Sequence, residues 1–248
     1  MNNAIEILIV ITSIASTLVI LLLIGNSLLK KVLYSTNNLK NEDLKTVNVK
    51  NPRLKKITKR FFDIVLSSFI IIFILSWLIP IIGLAIRLNS KGPVFFKQRR
   101  IGKNGIFYYA IKFRTYKTIP SSEKILHNYP MKNDRRITKV GDFLRKTSLD
   151  EFPNVLNVFT GNISMVGRSH ILDFPQFTPK IEKKILDHLN EIKPGLISLY
   201  DITKASYLFD PSDMVKYDLY YINHQSLSLD ISIILGSIVK IIGGTTLF

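Results

Sequence analysis

Cysteine is absent from the 248-residue chain, and acidic residues are scarce. The lack of cysteine excludes disulfide bonds, thiolate catalysis and zinc sites with cysteine ligands. The four histidines are scattered without a pairing typical of a metal site, and the glycine patterns of P-loops, dinucleotide-binding folds and nucleophile elbows are missing. These absences argue against a histidine metal site and against the enzyme classes that carry those motifs.

Basic and apolar residues are both abundant. Lys and Arg total 34 against 18 Asp and Glu, which gives a formal charge of +16, while 47% of residues are hydrophobic. The mean hydropathy is +0.21. High positive charge combined with high apolarity indicates a membrane surface rather than a nucleic-acid partner. The length suits one domain with membrane segments.

The N-terminal region is predicted to cross the membrane. Residues 4–29 are almost entirely apolar, with Glu6 as their only charge, and exceed the ~20 residues that a spanning helix needs. Lys30 and Lys31 follow, so the positive-inside rule places the amino terminus outside and the following residues in the cytoplasm. A cleaved signal peptide is the alternative, although no basic residue precedes the apolar run and no small-residue cleavage site follows it. We predict a transmembrane helix (1–31), a basic cytoplasmic linker (32–58) and one main domain (59–248).

A second apolar run covers residues 61–86 and is also long enough to span. Basic residues flank both ends, namely Lys59, Arg60, Arg87 and Lys91, and the charge rule would keep both ends on one side. Pro80 removes a helical hydrogen bond, and we expect the Ser76 hydroxyl to satisfy the carbonyl left without a donor. We therefore predict a re-entrant helix broken at Ser76 and Pro80. An ordinary spanning helix is the alternative, and it would place the rest of the chain outside the cell.

A β-hairpin is predicted after this helix. The β-rich runs VFFKQRRI and IFYYAIKF are joined through residues 102–105, which contain the strong turn signal Asn-Gly. The segment from Arg87 to Lys117 carries nine basic residues and no acidic one. This basic segment indicates binding of a polyanionic substrate or of anionic lipid head groups, with a solvated surface as the alternative.

Helices are predicted over 139–146, 151–159, 179–190 and 212–224, with Thr178 and Pro179 at the start of the third. The apolar tail from 228 to 242 has helical periodicity, and it either lies in the membrane interface or closes the core.

Two adjacent carboxylates, Asp150 and Glu151, occur in the stretch TSLDEFPN. Ser148 and Glu151 fit a capping box, but Pro153 would then interrupt the helix beyond its first turn. If the helix begins at Asp150 or Phe152, Pro153 is harmless and both carboxylates lie at the positive helix end. Basic residues precede the pair within fifteen positions, among them Arg136, Lys139, Arg145 and Lys146.

Adjacent carboxylates among basic residues suit phosphoryl chemistry. One carboxylate attacks phosphorus, the other holds Mg²⁺, and guanidinium groups neutralise phosphate oxygens. A surface network of salt bridges is the alternative.

Several pieces of the chain together resemble the bacterial sugar transferases, the monotopic phosphoglycosyl transferases that start lipid-linked glycans on polyprenyl phosphate. The matching pieces are KRFFD (59–63), Pro80, GPVFFKQRRIGKNG (92–105), KFRT (112–115), DRRITKVGDFLRKTSLDEFPNVLNVFTGNISMVG (134–167) and KPG (193–195). They cover more than half of the chain, in order and with family-like spacing.

The resemblance implies transfer of a sugar phosphate from a UDP-sugar to polyprenyl (undecaprenyl) phosphate, with release of UMP and a requirement for Mg²⁺. It implies that Asp150 is the nucleophile of a covalent intermediate and that Glu151 is the metal ligand. Lys112, Arg114 and Arg145 would hold phosphates.

The resemblance also implies a mainly helical α+β fold. It would combine a re-entrant membrane helix and interfacial amphipathic helices with a small antiparallel hairpin, and the N-terminal transmembrane helix is an addition to it. The catalytic domain would lie on the cytoplasmic face of the bacterial inner membrane, in contact with membrane lipids.

The chain departs from the family pattern after residue 167. Ser169 occupies the place of the family's phosphate-binding arginine, and we expect Arg168, one position earlier, to replace it. The segment after Lys193-Pro194-Gly195 also differs, so the sugar is not readable from the sequence. A catalytically weak relative that acts as a subunit of a glycan-assembly complex is therefore the second hypothesis.

Overall fold

The computed structural model describes residues 52–117, 134, 136–170, 182–203 and 211–242, together with scattered positions between 6 and 30. Every described position between 6 and 30 is helical. The predicted transmembrane helix (1–31), the linker (32–58) and the helix predicted over 179–190 lie partly outside the described residues, and Thr178 lies wholly outside them. The transmembrane prediction for 1–31 stays a prediction.

A long apolar helix begins at Pro52, so the last part of the predicted linker (32–58) is helical. Helix α1 (Pro52–Ile70) continues through a π-helical turn (Ile71–Leu75) into helix α2 (Ser76–Asn89). Among the described residues, Lys56–Asn89 is the one helix that is long and apolar enough to cross a membrane. Its exposed apolar side chains form the surface expected of a helix in lipid: Phe61, Val65, Phe69, Ile72, Phe73, Trp77, Ile81, Leu84 and Leu88.

The π-helical turn changes the role predicted for Ser76. The backbone N–H of Ser76 donates to the carbonyl of Ile71, five residues earlier, so the carbonyl of Ile72 lacks its usual partner. The Ser76 hydroxyl donates to this Ile72 oxygen at 2.6 Å. Contrary to our prediction, the hydroxyl therefore does not satisfy the carbonyl that Pro80 leaves without a donor, because that carbonyl belongs to Ser76 itself.

The predicted hairpin is confirmed. Strand β1 (Phe95–Ile101) pairs antiparallel with strand β2 (Phe107–Phe113). Asn104 and Gly105 in the connection have φ angles of 54° and 73°, a region that asparagine and glycine tolerate. Phe96 pairs with Lys112 and Arg100 with Tyr108, so the alternation of side chains places Lys112 and Arg100 on one face.

The remaining described elements are mainly helical. They are α3 (Lys139–Lys146), a 3₁₀ helix (Leu149–Asn154), α4 (Val155–Thr160), β3 (Ser164–Gly167), α5 (Lys183–Asn190), β4 (Gly195–Ser198), α6 (Leu199–Thr203), α7 (Pro211–His224) and α8 (Leu227–Ile242). The helices predicted over 139–146 and 212–224 are confirmed, whereas the one predicted over 151–159 is divided into the 3₁₀ helix and α4. The parallel pairing of β3 with β4 adds a second small sheet.

Three apolar clusters among the described residues determine how these elements pack. The largest contains residues from β3, α5, α6, α7 and α8, including Leu229 and Ile233, so the tail helix closes the core. The second joins the membrane helix to the hairpin and α3 through Ile82, Phe113 and Leu144, with Leu149 packed against it. The third joins α1 and β2 to α4 and β3. Full burial of such side chains contributes roughly 1.5–3 kcal/mol each. The second cluster holds the residue before Asp150 against the membrane helix.

Both ends of the membrane helix are fixed to the rest of the domain. Near its start, Lys59 forms a 2.6 Å ion pair with Asp230 of α8, and Arg60 donates to two backbone carbonyls at the end of α4. Asp63 accepts hydrogen bonds from the Ser164 hydroxyl and from the next backbone N–H of β3. At the other end, Arg114, the residue after β2, donates to the two carbonyls that follow α2.

Candidate active site

The carboxylate pair lies in the 3₁₀ helix directly after α3. Ser148 joins the two helices with a φ of 56°, in the left-handed region, and forms no side-chain cap on the helix. The capping box is therefore absent, and the helix begins at Leu149 rather than at Asp150 or Phe152. Because Pro153 has no N–H, a regular α-helix would lose a hydrogen bond here, and α4 starts only after it.

Glu151 is buried, with 5% of its surface exposed. Its Oε1 accepts a hydrogen bond from Lys112 Nζ and lies 3.4 Å from a terminal nitrogen of Arg100. Burial by itself would raise the pKa of Glu151, but the charges of Lys112 and Arg100 outweigh it and hold the pKa below its ordinary value. Glu151 is therefore ionised at neutral pH, between two cations.

Asp150 is in a different electrostatic situation. Burial, followed by the adjacent charge of Glu151, raises the pKa of Asp150 to about 6, although Lys112 and Arg145 partly offset the increase. Among the described residues, no side chain forms a hydrogen bond or ion pair with its carboxylate. The Asp150 carboxylate is thus poorly hydrated and forms no ion pair with a described residue. Both properties favour its reactivity as a nucleophile.

Arg145 lies close enough to Asp150 that its positive charge lowers the pKa of Asp150. One terminal nitrogen of its guanidinium donates to the Tyr116 hydroxyl at 2.7 Å. This contact fixes the side chain near the carboxylates while leaving it partly exposed. Lys112 and Arg145 are therefore the two predicted phosphate-binding residues that the structure places near Asp150.

Arg114 is engaged elsewhere. It is buried, and its terminal nitrogens donate to the carbonyls of Ser90 and Lys91 at 2.9 and 2.7 Å. These bonds join the hairpin to the end of the membrane helix. Its predicted contact with phosphate stays a prediction, and the observed contacts support a structural role.

Arg168 is completely buried and binds backbone carbonyls from three segments: Ile101 and Gly102, Ser169, and Ile192. Ser169 donates through its backbone N–H and its hydroxyl to Asp218, at 2.7 and 2.6 Å. Burial raises the pKa of Asp218 to about 7 in spite of these bonds. Arg168 and Ser169 of the GRSH sequence thus form buried hydrogen bonds that stabilise the end of β3. No contact in this geometry favours the predicted binding of phosphate by Arg168.

Two further residues near Glu151 were not singled out from the sequence. Arg100 was part of the basic segment, and the alternation of β1 and β2 would have placed it beside Lys112. Asp201 accepts two hydrogen bonds from Ser198, in the S-x-x-D pattern of a helix start, at 2.6 and 2.7 Å. Burial raises the pKa of Asp201 to about 6, and the charge of Glu151 contributes to the increase.

The Asp150–Glu151 pair offers two carboxylates, which are ligands that Mg²⁺ accepts. Within the described part of the chain, no group of three histidine or acidic side chains is arranged to hold a metal. Mg²⁺, however, is often bound by one or two carboxylates together with phosphates and waters. All hydrogen bonds of Glu151 to described residues reach Oε1, so Oε2 is available as a ligand.

Comparison with known proteins identifies a family. The family model described as bacterial sugar transferase matches residues 54–244. The UDP-glucose:undecaprenyl-phosphate glucose-1-phosphate transferase of Klebsiella pneumoniae is 38% identical over 188 residues, which cover 73% of this chain and 39% of that protein. The galactosyl transferase CpsE of Streptococcus agalactiae is 34% identical over 199 residues, covering 76% and 43%. The chain therefore spans about two fifths of the length of these relatives.

A shorter relative matches almost completely. The exopolysaccharide production protein PSS of Rhizobium leguminosarum is 33% identical over 199 residues, which cover 74% of this chain and 94% of that protein. The matched region in all three comparisons includes most of the domain that contains the carboxylate pair.

Proposed function

The chain belongs to the bacterial sugar transferase family, and from this premise we propose that it transfers a sugar 1-phosphate from a UDP-sugar to a membrane polyprenyl phosphate, with release of UMP. The observation that carries the proposal is the weakly hydrated carboxylate of Asp150 beside the buried charge of Glu151. The name of the Klebsiella relative supports undecaprenyl phosphate as the acceptor. The product would initiate a lipid-linked glycan.

The proposed reaction has two displacements at one phosphorus atom. An oxygen of the Asp150 carboxylate attacks the phosphorus that carries the sugar, the bond to the bridging oxygen breaks, and UMP leaves with that electron pair. The sugar phosphate is then held on Asp150 as an acyl phosphate. A phosphate oxygen of the polyprenyl phosphate attacks the same phosphorus and releases Asp150 as a carboxylate. One phosphate pocket therefore serves both substrates in turn.

The surrounding charges suit these displacements. Lys112 and Arg145 lie close enough to influence Asp150, and they would neutralise the oxygens of the transferred phosphoryl group. Glu151, through Oε2, together with Asp150 would hold Mg²⁺, which would supply positive charge beside the leaving UMP. Lys112 keeps Glu151 ionised and in place for this role.

We propose that the membrane helix enters and leaves on the same side of the membrane. A straight helix over Lys56–Asn89 would be about 50 Å long at 1.5 Å per residue, well beyond the ~30 Å apolar core. Both ends are nevertheless bonded to one small domain, through Lys59 at the start and Arg114 after the end. A straight spanning helix would place these ends on opposite sides of the apolar core, which supports the re-entrant arrangement.

We propose that the acceptor lipid binds beside this helix. A cleft of about 490 Å³ lies between α2 and the start of β1, and its walls include Pro80, Leu84 and Val94, with Arg87 among them. Val94 also belongs to the cluster that contains Leu149, the residue before Asp150. An isoprenoid chain in this cleft would lie near the attacking carboxylate, with Arg87 able to attract its phosphate.

The topology can be tested with one introduced thiol, because the chain has no cysteine. Ile106 in the hairpin connection is 70% exposed, so Ile106→Cys should be accessible. We expect it to react in intact cells with a membrane-permeant maleimide and to react with an impermeant one only after lysis. Labelling of intact cells by the impermeant reagent would contradict the cytoplasmic location and the re-entrant helix.

The activity itself is tested by UMP release from a panel of UDP-sugars, with Mg²⁺ and undecaprenyl phosphate present. We expect release with at least one sugar, and release that depends on the lipid acceptor beyond the first turnover. The internal bonds of Arg168 and Ser169 favour one other function, that of a non-catalytic subunit in a glycan-assembly complex. Absence of turnover with every nucleotide sugar would support that function instead.

A further inference from the structure

Asn154, the last residue of the 3₁₀ helix, is a buried polar residue that the fold does not explain. Its exposed fraction is 0%. Neither its Oδ1 nor its Nδ2 has a hydrogen-bond partner among the residues that the structure describes. Burying a carboxamide without partners is unfavourable, and natural proteins rarely do so unless a water, an ion or a ligand completes the bonding.

The position of Asn154 relates it to the carboxylate pair. Side chains three residues apart eclipse each other in a 3₁₀ helix, at a rise of about 2 Å per residue, so Asn154 lies roughly 6 Å along the axis from Glu151 on the same face. Glu151 is buried too, and its Oε2 accepts no hydrogen bond from the described residues. The carboxamide oxygen of Asn154, which has no hydrogen-bond donor among the described residues, therefore lies on the same helix face as the Glu151 carboxylate.

Asn157 of α4, three residues after Asn154, lies on the same helix face as Asn154 and Glu151. Its Nδ2 donates to the Tyr109 carbonyl at 2.9 Å, which fixes the orientation of its carboxamide. Its Oδ1 is buried and has no partner within the described part of the chain. A row of hard oxygen acceptors that lack donors indicates a hydrated divalent cation more directly than it indicates a hydroxyl-bearing group, because Mg²⁺ and Mn²⁺ prefer such oxygens.

We propose that Asn154 is a further ligand of the divalent cation, with its Oδ1 beside Oε2 of Glu151 and its Nδ2 donating to a phosphate oxygen of the bound nucleotide. The inference rests on the proposed function and adds a residue to its metal site. It explains why a fully buried carboxamide lies one turn from an ionised glutamate. It also supplies a neutral oxygen ligand where the cations Lys112 and Arg100 already occupy the other oxygen of Glu151.

The test measures Mn²⁺ binding by electron paramagnetic resonance on the full chain in detergent, first with Mn²⁺ alone and then with UMP. Asn154→Leu has a similar volume and removes both polar atoms. We expect Mn²⁺ affinity to fall by about tenfold or more, while the Tm of the metal-free protein stays unchanged or rises. Asn154→Asp keeps an oxygen ligand and should retain Mn²⁺ affinity, and with UMP present it should lose the added affinity that Nδ2 provides.

Asn162→Leu is the matched control, since Asn162 is exposed and its Nδ2 donates to the Thr160 hydroxyl at 3.1 Å. It should leave Mn²⁺ binding unchanged. Unchanged affinity in Asn154→Leu, with loss of affinity in Glu151→Gln, would overturn the role of Asn154 and leave the proposed function intact. Absence of Mn²⁺ binding by the unaltered protein would instead contradict the metal site as a whole.

Discussion

Replacing Asp150 with Asn is expected to reduce UMP release by roughly four orders of magnitude or more, because the carboxamide cannot form the acyl phosphate. Asparagine has nearly the same shape, and no described side chain bonds to the carboxylate, so the fold should persist. The measurement is multiple-turnover UMP release at saturating UDP-sugar and acceptor. Activity within about tenfold of the unaltered enzyme would exclude Asp150 as the nucleophile.

The same substitution should make the metal-free protein more stable at neutral pH. The folded pKa of Asp150, about 6, lies above its ordinary value of 3.8, so the folded state holds the proton more tightly than the unfolded state. Stability of the unaltered protein is therefore lost as pH rises from about 4 to 6 and stays low above that. The increase in the free energy of unfolding caused by Asp150→Asn should be near zero at pH 4 and should reach up to about 3 kcal/mol at pH 8.

Asp142→Asn provides the matched control for both measurements. Asp142 is exposed and pairs with Lys146 one turn away in α3. Such surface pairs contribute roughly 0.3–0.5 kcal/mol, so this substitution should change neither activity nor the pH dependence of stability appreciably. A similar pH-dependent gain in Asp142→Asn would show that the effect is not specific to the site.

Removing Lys112 is the second substitution with a large expected effect. Lys112→Met leaves the buried carboxylate of Glu151 with Arg100, at 3.4 Å, as its one ion-pair partner among the described residues. Loss of one partner of a buried ion pair typically costs about 3–5 kcal/mol, and we expect a loss in this range in chemical unfolding of the detergent-solubilised protein. UMP release should also fall, since Lys112 holds Glu151 and offsets charge near Asp150.

The double variant Lys112→Met, Glu151→Gln separates the two effects. It removes the uncompensated charge, so stability should recover by about 2 kcal/mol or more relative to Lys112→Met, while activity stays lost. Lys146→Met, at an exposed ion pair, should shift stability by no more than about 0.5 kcal/mol. Equal stability losses for Lys112→Met and Lys146→Met would contradict the buried electrostatics described for Glu151.

Local signals were sufficient to predict several elements. The Asn-Gly turn between two β-rich runs predicts the hairpin that the structure shows, and the helix predicted over 139–146 has the same bounds in the structure. Pro153 argues against a capping box formed by Ser148 and Glu151, and Ser148 forms no side-chain cap in the structure. Each of these depends on residues close together in the chain.

The roles of the arginines could not be predicted in the same way. Alternation tells which face of a strand a side chain occupies, but it does not tell which distant carbonyls lie there. Arg168 binds Ile101 and Ile192, which are far away in sequence, and Arg114 binds the end of the membrane helix. Similarly, the π-helical turn that redirects the Ser76 hydroxyl depends on the packing of the whole helix.

The covalent intermediate is the central claim, and mass spectrometry of the quenched enzyme tests it most directly. The purified protein would be mixed with Mg²⁺ and a turnover-competent UDP-sugar without lipid acceptor, denatured in acid, and digested. We predict a mass increase of one sugar phosphate on the peptide that contains Asp150, which disappears when undecaprenyl phosphate is added before the quench. Turnover without any adduct at Asp150, or with the adduct on another residue, would contradict the account.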